Sequence, residues 1–258
     1  MSFDACAALV EKADPDRFRT ALLAPPAQRG GLLALYAFNI EVSRAPWVTE
    51  EAMIAEMRLQ WWVDAIDEIY TGKQPRSHEI VGPLAETIGQ YNLPRAPFDA
   101  LIQARRADIY TDPPADQTAL EAYVDATSSG LMWLAAGICA KDAALVETPV
   151  RQVGYAHGIA NLFVATPELL ASGRQPFPTL ETAQLSQIAF DALARLTSAR
   201  TKRRDVPAAM APALLAAWQS GAILQQVARD PDTALQEMQV APFRKRWTLL
   251  LRGMTGRW

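Results

Sequence analysis

The amino-acid sequence predicts an all-α protein, and three features of it lead to that prediction. Alanine and leucine are abundant, and both favour helix because they lose little side-chain entropy there. Glycine, which commonly punctuates strands and turns, occurs 13 times in 258 residues. Valine and isoleucine are scattered singly and nowhere form the alternating run that is typical of a half-buried strand. Half of the residues are hydrophobic, so the chain can bury a sizeable core.

Prolines divide the chain into segments, because proline breaks helix interiors and restricts the residue before it. The clearest helix begins at Thr49, a candidate N-cap, and runs to Tyr70, where Thr71 and Gly72 end it. Apolar residues recur at helical spacing between these ends. The same reasoning predicts helices near residues 28–44, 79–91, 95–110, 117–139, 143–165, 181–200, 211–229 and 242–253. Since no long linker separates them, we expect one domain over residues 1–258.

Charge and cysteine content argue against several classes of protein. A net charge of -3 and a pI near 5.5 are unlike a general nucleic-acid binder, which carries a basic stripe. Cys6 and Cys139 lie far apart and lack metal-binding spacing, so we expect neither a disulfide framework nor a zinc site. The acidic start of the chain is unlike a signal peptide, and no window approaches the roughly 18 apolar residues of a membrane span. We therefore expect a cytoplasmic protein with no nucleic-acid partner.

An ordered set of short motifs resembles the squalene/phytoene synthase family over roughly residues 17–200. The motifs lie at residues 33–38, 58–62, 70–73, 91–94, 107–110, 120–123, 129–130, 154–161, 173–174 and 178. The resemblance implies an isoprenoid-synthase-like helical bundle around a central cavity. Members of that family join two prenyl diphosphates, using Mg²⁺ that two aspartate-rich motifs on facing helices hold.

The chain departs from the family at both of those motifs. Ser43, Arg44 and Trp47 stand where the resemblance places the first aspartates. Gly158 and Asn161 stand in the second motif, where of the polar set only the asparagine and one glutamate remain. Carboxylates four residues apart on a helix can clamp Mg²⁺ around a diphosphate. Their loss implies a protein without catalytic residues, without a metal site and without a cofactor.

The pattern that remains resembles a branch of the family without known synthase chemistry, the mitochondrial complex I assembly factor 6 type. The shared phrases are akin to "AFN.E", "MR.QWW" and "ATP.L". This resemblance implies an assembly or scaffold role for respiratory complex I, whose subunits or intermediates would be the partners. One alternative is an active prenyl transferase of the same family with relocated Mg²⁺ ligands. Another is a carrier that binds an isoprenoid or a lipid.

Several residues are candidates for these alternative sites. Asp64, Asp67 and Glu68 have i, i+3, i+4 spacing, which makes them either a substitute metal face or the solvated face of an amphipathic helix. His157 is either a base, since imidazole titrates near neutrality, or a packed polar residue. Gly154 and Gly158 let another helix approach closely or leave room for a ligand. The candidates for the cavity are Asn39, Ser43, Arg44, Trp61, Asp108, Gly130, His157, Gly158 and Asn161.

Residues 242–258 form a basic amphipathic segment that carries positive charges alone. Its apolar side either docks on the domain or, as in an interfacial helix, contacts an anionic membrane. The second alternative places the protein peripherally at the inner face of the membrane. The candidates for membrane contact are Arg244, Lys245, Arg246, Trp247, Arg252 and Trp258. A second basic cluster could hold a diphosphate or a lipid phosphate, or could be a solvated helix end; it consists of Arg200, Lys202, Arg203 and Arg204.

Overall fold

A computed structural model describes residues 3–49, 51–141, 143–236 and 242–258, with side chains from residue 248 onward in the last range. Within these ranges every regular element is helical, which confirms the all-α prediction. The helices are α1 (Asp4–Ala13), α2 (Pro15–Ala21), α3 (Pro26–Arg44), α4 (Ala52–Tyr70), α5 (Val81–Tyr91), α6 (Ala96–Arg105), α7 (Gln117–Val124), α8 (Gly130–Cys139), α9 (Glu147–Ala171), α10 (Thr182–Thr201), α11 (Ala211–Leu214), α12 (Ser220–Arg229) and α13 (Pro242–Thr255). None of these described helices is both long enough and apolar enough to cross a membrane.

The first two helices were not predicted. Asp14 caps α2, since its side chain accepts a hydrogen bond of 3.0 Å from the backbone N–H of Arg17. Pro15 follows at the first helical position, where its missing N–H costs nothing. α1 packs on α3 and buries Cys6 and Val10. Both helices are so short that their apolar residues do not establish a period, so packing on α3 rather than local pattern defines them.

The helix that was predicted from Thr49 begins at Ala52 and ends at Tyr70 as expected. Thr49 lies outside it, and its hydroxyl accepts a hydrogen bond of 3.1 Å from the backbone N–H of Glu51. The predicted helix over 95–110 is α6 followed by a 3-10 turn, Arg106–Ile109. The predicted helix over 211–229 is two helices, α11 and α12, with a 3-10 turn between them.

A π-helical turn, Asp125–Ser129, joins α7 to α8 inside the predicted helix over 117–139. This π turn lies directly on two glycines of α9. A Cβ atom at Gly158 would lie 2.6 Å from Cγ1 of Val124, and one at Gly154 would lie 2.6 Å from the main chain of the π turn. The Ser128 hydroxyl donates a hydrogen bond of 2.7 Å to the Gly154 carbonyl. The two glycines therefore serve the close approach that their spacing suggested.

The longest helix, α9, packs against α8, α10 and α12. It continues to Ala171 through Pro167, although the prediction ended it at residue 165. Proline removes one helical hydrogen bond and usually breaks a helix. Here Phe163 and Thr166 are fully buried just before the proline, so tertiary packing holds the helix at this point. The Thr166 hydroxyl also donates a hydrogen bond of 2.7 Å to the carbonyl of Leu162.

A candidate ligand cavity

A cavity of about 570 Å³ opens between α3, the π turn, α9 and the loop that precedes α7. Its volume lies in the range of small-molecule sites, roughly 300–1,000 Å³. The wall combines apolar side chains such as Leu162 and Leu169 with three arginines, Arg17, Arg105 and Arg174. The cavity therefore offers a ligand both apolar surface and charged or hydrogen-bonding groups.

Four of the predicted cavity residues line this space: Asn39, Asp108, Gly158 and Asn161. Asn39 is 6% exposed, and its side-chain oxygen has no hydrogen-bond partner among the described residues. Asn39 is a buried residue of α3, and Gly158 is a buried residue of α9. A buried amide without a partner is costly, so a ligand hydroxyl or a water molecule would satisfy it.

The residues at the positions of the first aspartate motif do not form a cation site. Ser43 turns back on its own helix and donates a hydrogen bond of 3.0 Å to the carbonyl of Ile40. Arg44 is exposed at the end of α3. Trp47 lines the cavity, and the guanidinium carbon of Arg174 lies 4.0 Å from the centre of its ring. A positive charge thus lies on an indole at this wall, and a divalent cation would be repelled by it.

Trp61 and Gly130 are not among the residues that line the cavity. The Trp61 ring packs edge-on against Trp62 with 5.0 Å between ring centroids, and the Arg76 guanidinium covers it at 4.9 Å. Gly130 begins α8, where an added Cβ would meet the Cβ of Pro97 at 3.6 Å. These two residues therefore belong to packing contacts of α4 and α8.

Asp108, Arg105 and Tyr123 form one hydrogen-bonded group at the cavity wall. Arg105 donates a hydrogen bond of 2.9 Å to Oδ2 of Asp108 and another of 2.6 Å to the hydroxyl oxygen of Tyr123. The Tyr123 hydroxyl donates in turn to Oδ1 of Asp108 at 2.9 Å. Burial raises the pKa of the Tyr123 hydroxyl well above its usual value, so it keeps the proton that it donates. The Asp108 carboxylate is therefore fully engaged by protein groups.

The three arginines of the wall differ in how their charge is balanced. Arg105 pairs with Asp108, and Arg17 pairs with Asp14 at 2.9 Å. Arg174 donates a hydrogen bond to the main-chain carbonyl of Asp108 and pairs with no carboxylate in the described part of the chain. Arg174 therefore supplies an uncompensated positive charge at the wall, which suits an anionic ligand group.

His157 lies behind the cavity wall rather than in the cavity. Its Nε2 atom is 3.3 Å from Nη2 of Arg17 and 3.2 Å from Nδ2 of Asn161, while Nδ1 is 3.4 Å from the Ser220 hydroxyl. Burial, followed by the charge of Arg17, lowers the pKa of His157 far below its usual value. This neutral, fully engaged ring supports the packed polar role, and its basic nitrogen is not open to a ligand.

Other side chains of the protein engage all three candidate carboxylates of α4. Asp67 lies 3.0 Å from Arg95, and Glu68 lies 2.6 Å from Arg76. Asp64 accepts a hydrogen bond of 2.9 Å from the side-chain amide of Gln60, one turn earlier in α4. Among the described residues, no group of three or more His, Cys, Asp or Glu side chains could hold a metal ion. The residues present therefore do not fit a Mg²⁺ clamp at the cavity or on α4.

The C-terminal segment is described in part. The side chains of Arg244, Lys245, Arg246 and Trp247 lie outside the described residues. Trp258 is 5% exposed, and the Arg203 guanidinium lies 4.9 Å from its ring centre. Its membrane assignment is therefore corrected, because this ring packs on the domain. Arg252 is half-buried, and burial followed by the charge of Arg203 lowers its pKa.

Four of the residues that shape the cavity were not singled out as site residues: Arg17, Arg105, Tyr123 and Arg174. Tyr123 and Arg174 belong to family-like motifs at residues 120–123 and 173–174, and these motifs were the signal that could have identified them. Arg17 has no such signal, since its contact with His157 joins residues 140 positions apart.

Comparison with known proteins places this geometry in a family. A family model described as squalene/phytoene synthase matches residues 10–189. The fold is similar to that of a dehydrosqualene synthase in complex with ligand, with a TM-score of 0.81 and 14% identity over 98% of this chain and 95% of that chain. It is also similar to the squalene synthase HpnC from Alicyclobacillus acidocaldarius, with a TM-score of 0.73 and 21% identity over 88% and 93% of the two chains. At these identities the likeness concerns the fold.

Relatives with higher sequence identity carry another name. A Drosophila melanogaster protein named NADH dehydrogenase (ubiquinone) complex I, assembly factor 6 homolog is 32% identical over 68% of this chain and 53% of the relative. The Bos taurus assembly factor 6 is 26% identical over 77% of this chain and 59% of the relative. The chain thus spans between half and three-fifths of the length of these relatives. Because the family model matches well over half of the residues, the chain belongs to the squalene/phytoene synthase family.

Proposed function

We propose that the protein is a non-catalytic member of its family that serves the assembly of respiratory complex I. The observation that carries the proposal is the contact of Arg174 with Trp47, whose ring centre lies 4.0 Å from the guanidinium carbon. The resemblance to the family places an aspartate at Trp47. Chemistry on a diphosphate needs cations beside the leaving group, and this part of the wall presents an arginine and an indole instead of carboxylates that could hold them. The assembly role itself is supported by the names of the relatives from Drosophila melanogaster and Bos taurus.

Loss of the two metal-binding motifs should also slow the family's reaction by a factor that can be roughly predicted. Each 1.36 kcal/mol that is lost from transition-state stabilisation slows a reaction about tenfold. Several carboxylate–metal contacts together would therefore account for many orders of magnitude. A protein that has lost them but keeps the fold retains surfaces and a cavity, which is what a scaffold for subunits or assembly intermediates needs.

We place the protein in the cytoplasm, peripherally at the inner face of the membrane that carries complex I. The basic composition of residues 242–258 supports this placement, because anionic lipids attract such segments.

Two measurements together test the proposal. In cells that lack the protein, we expect less fully assembled complex I on native gels, with recovery when the full chain is supplied. The purified protein should not release diphosphate from labelled farnesyl or geranylgeranyl diphosphate, with or without Mg²⁺, while an active synthase does so in the same assay. Metal-dependent release would overturn the non-catalytic part, and normal complex I in the depleted cells would overturn the assembly part.

A second candidate function is binding of an isoprenoid or a lipid, and the cavity of about 570 Å³ favours it. Mass spectrometry of an organic extract of the purified protein should then identify an apolar ligand. Ala165 lines the cavity, so Ala165→Trp should reduce the amount of ligand by filling the space. Val164 is its exposed neighbour on α9, and Val164→Trp is the matched control. Equal ligand content in the two variants would count against the cavity as the binding site.

A further inference from the structure

Two arginines near the end of α10, Arg200 and Arg203, meet at one main-chain oxygen beyond α13, apart from the cavity residues. Nε of Arg200 donates a hydrogen bond of 3.2 Å to the main-chain oxygen of Trp258, and Arg203 donates to the same oxygen. The charge of a third arginine, Arg252 of α13, acts on Arg200, and the charge of Arg203 acts on Arg252. Burial, followed by the charges of Arg252 and Arg203, lowers the pKa of Arg200 to about 10. The three guanidinium groups therefore repel one another in a partly buried setting.

Each of these arginines also has a buried nitrogen without a hydrogen-bond partner in the part of the chain that the structure describes. These nitrogens are Nη2 of Arg200, Nε of Arg203 and Nη1 of Arg252. None of the three arginines pairs with a side-chain carboxylate of the described residues. Buried donors of this kind normally have partners, and a phosphate group offers several acceptor oxygens in the geometry that guanidinium groups recognise. One phosphate would thus supply the missing hydrogen-bond acceptors.

The surface beside this arginine cluster (Arg200, Arg203 and Arg252) is apolar. Leu249 is buried on the inner face of α13, and a Cβ at Gly253 would lie 3.0 Å from Leu23. The outer face exposes large apolar side chains, with Leu250, Leu251 and Met254 exposed by 52%, 48% and 78%. A site that binds phosphate from solution does not require exposed apolar side chains beside it. An amphipathic helix that lies in a membrane interface combines cations with exposed leucines in this way.

We propose that the arginine cluster binds the phosphate of an anionic phospholipid headgroup while the outer face of α13 enters the membrane surface. The proposal rests on the peripheral location given above and does not depend on the role in complex I assembly. We choose a lipid headgroup as the ligand for two reasons. The exposed leucines can enter the apolar part of a bilayer, and residues 242–258, which contain no acidic residue, complement its anionic surface.

Sedimentation of the full chain with lipid vesicles tests the proposal. The protein should bind vesicles of equal parts phosphatidylcholine and phosphatidylglycerol and should not bind phosphatidylcholine alone. The double variant Arg200→Gln/Arg203→Gln should bind the anionic vesicles roughly a hundredfold more weakly, since each charge-assisted contact contributes about tenfold. Lys202 and Arg204 are exposed at the same end of α10, so Lys202→Gln/Arg204→Gln removes equal charge and should change binding by at most a few-fold.

Three outcomes would overturn the proposal. Equal weakening by the two double variants would mean that diffuse attraction, rather than a built site, holds the protein. Stabilisation of the protein by inorganic phosphate without any vesicle binding would assign the cluster to a soluble ligand. Unchanged vesicle binding in Leu251→Ser/Met254→Ser, which alters exposed residues alone, would exclude α13. Recovery of complex I by the same variants in depleted cells is measured separately, so a failure here is distinct from a failure of the assembly role.

Discussion

Nε2 of His157 lies 3.3 Å from Nη2 of Arg17, and this contact determines the protonation state of the imidazole. A guanidinium group can donate hydrogen bonds but cannot accept them, so Nε2 must be the unprotonated nitrogen. The proton is then on Nδ1, which lies 3.4 Å from the Ser220 hydroxyl. His157 is therefore a neutral structural acceptor that links α2 to α9, and protonating it would place two like charges side by side.

The stability of the folded chain should depend on pH through His157. The pKa of His157 is lowered in the folded chain, so the unfolded chain binds a proton that the folded chain excludes. The stability from this group is complete above about pH 6.5 and is lost as the pH falls below that value, by at most about 1.4 kcal/mol per pH unit. Urea unfolding between pH 5 and 7 should show this slope in the wild type and a smaller slope in His157→Gln. His78→Gln is the control, and an unchanged slope in His157→Gln would contradict the prediction.

The second prediction concerns the contact between α9 and the π turn. In Gly158→Ala, the new Cβ would lie 2.6 Å from Val124 Cγ1 and 2.7 Å from Ser128 Cβ, so packing must shift. We expect a loss of about 1–3 kcal/mol in the free energy of unfolding. A Cβ added at Gly89 on α5 would meet no described atom within 4 Å, so Gly89→Ala should stabilise by roughly 0.5–1 kcal/mol. Chemical denaturation of both variants measures the difference, and a stabilised Gly158→Ala would show that the contact is looser than described.

The third prediction concerns the group formed by Asp108, Arg105 and Tyr123. Asp108→Asn removes the charge that compensates Arg105, whose side chain is 19% exposed. Because a largely buried guanidinium is left without its partner, we expect a loss of about 2–3 kcal/mol in the free energy of unfolding. Asp112 also lines the cavity but is exposed, and Asp112→Asn should have little effect. Denaturation midpoints that are equal for the two variants would argue against the group as a structural unit.

The fourth prediction separates the proposed function from the active-enzyme alternative. Asp64→Ala and Asp67→Ala should leave the helical content and the recovery of complex I unchanged, because exposed ion pairs such as Asp67–Arg95 contribute little. If α4 carried relocated metal ligands, the same changes would abolish Mg²⁺-dependent diphosphate release. Circular dichroism, complementation and the diphosphate assay on the two variants provide the answer. Any diphosphate release that depends on these carboxylates would favour the enzyme.

Helical class and most helix positions could be predicted because they follow from local pattern. The end of α4 at Tyr70 is an example, since the glycine that follows the helix is visible in the sequence. The π turn at Asp125–Ser129 and the passage of α9 through Pro167 could not be predicted, because buried contacts rather than local preferences stabilise them. The sequence left open whether the two glycines of α9 face a close neighbour or leave room for a ligand, and it did not indicate that the neighbour is a π turn.

The cavity was predicted in part, and the reason differs between residues. Asn39, Asp108, Gly158 and Asn161 were named because the family resemblance fixes their positions, and all four line the cavity. Arg17 was not named, because its place depends on how α2 packs against a helix that lies far away in sequence. Long-range packing of this kind leaves no periodic trace in the residues themselves.

Pro167 lies between the body of α9 and the turn that carries Leu169, a residue of the cavity wall. Proline provides no N–H for the helical ladder, so the carbonyl one turn earlier loses its partner there. The last turn of α9, after Pro167, is therefore joined to the rest of the helix by one hydrogen bond fewer than in an uninterrupted helix, so packing of its side chains must help to hold Leu169 at the cavity wall.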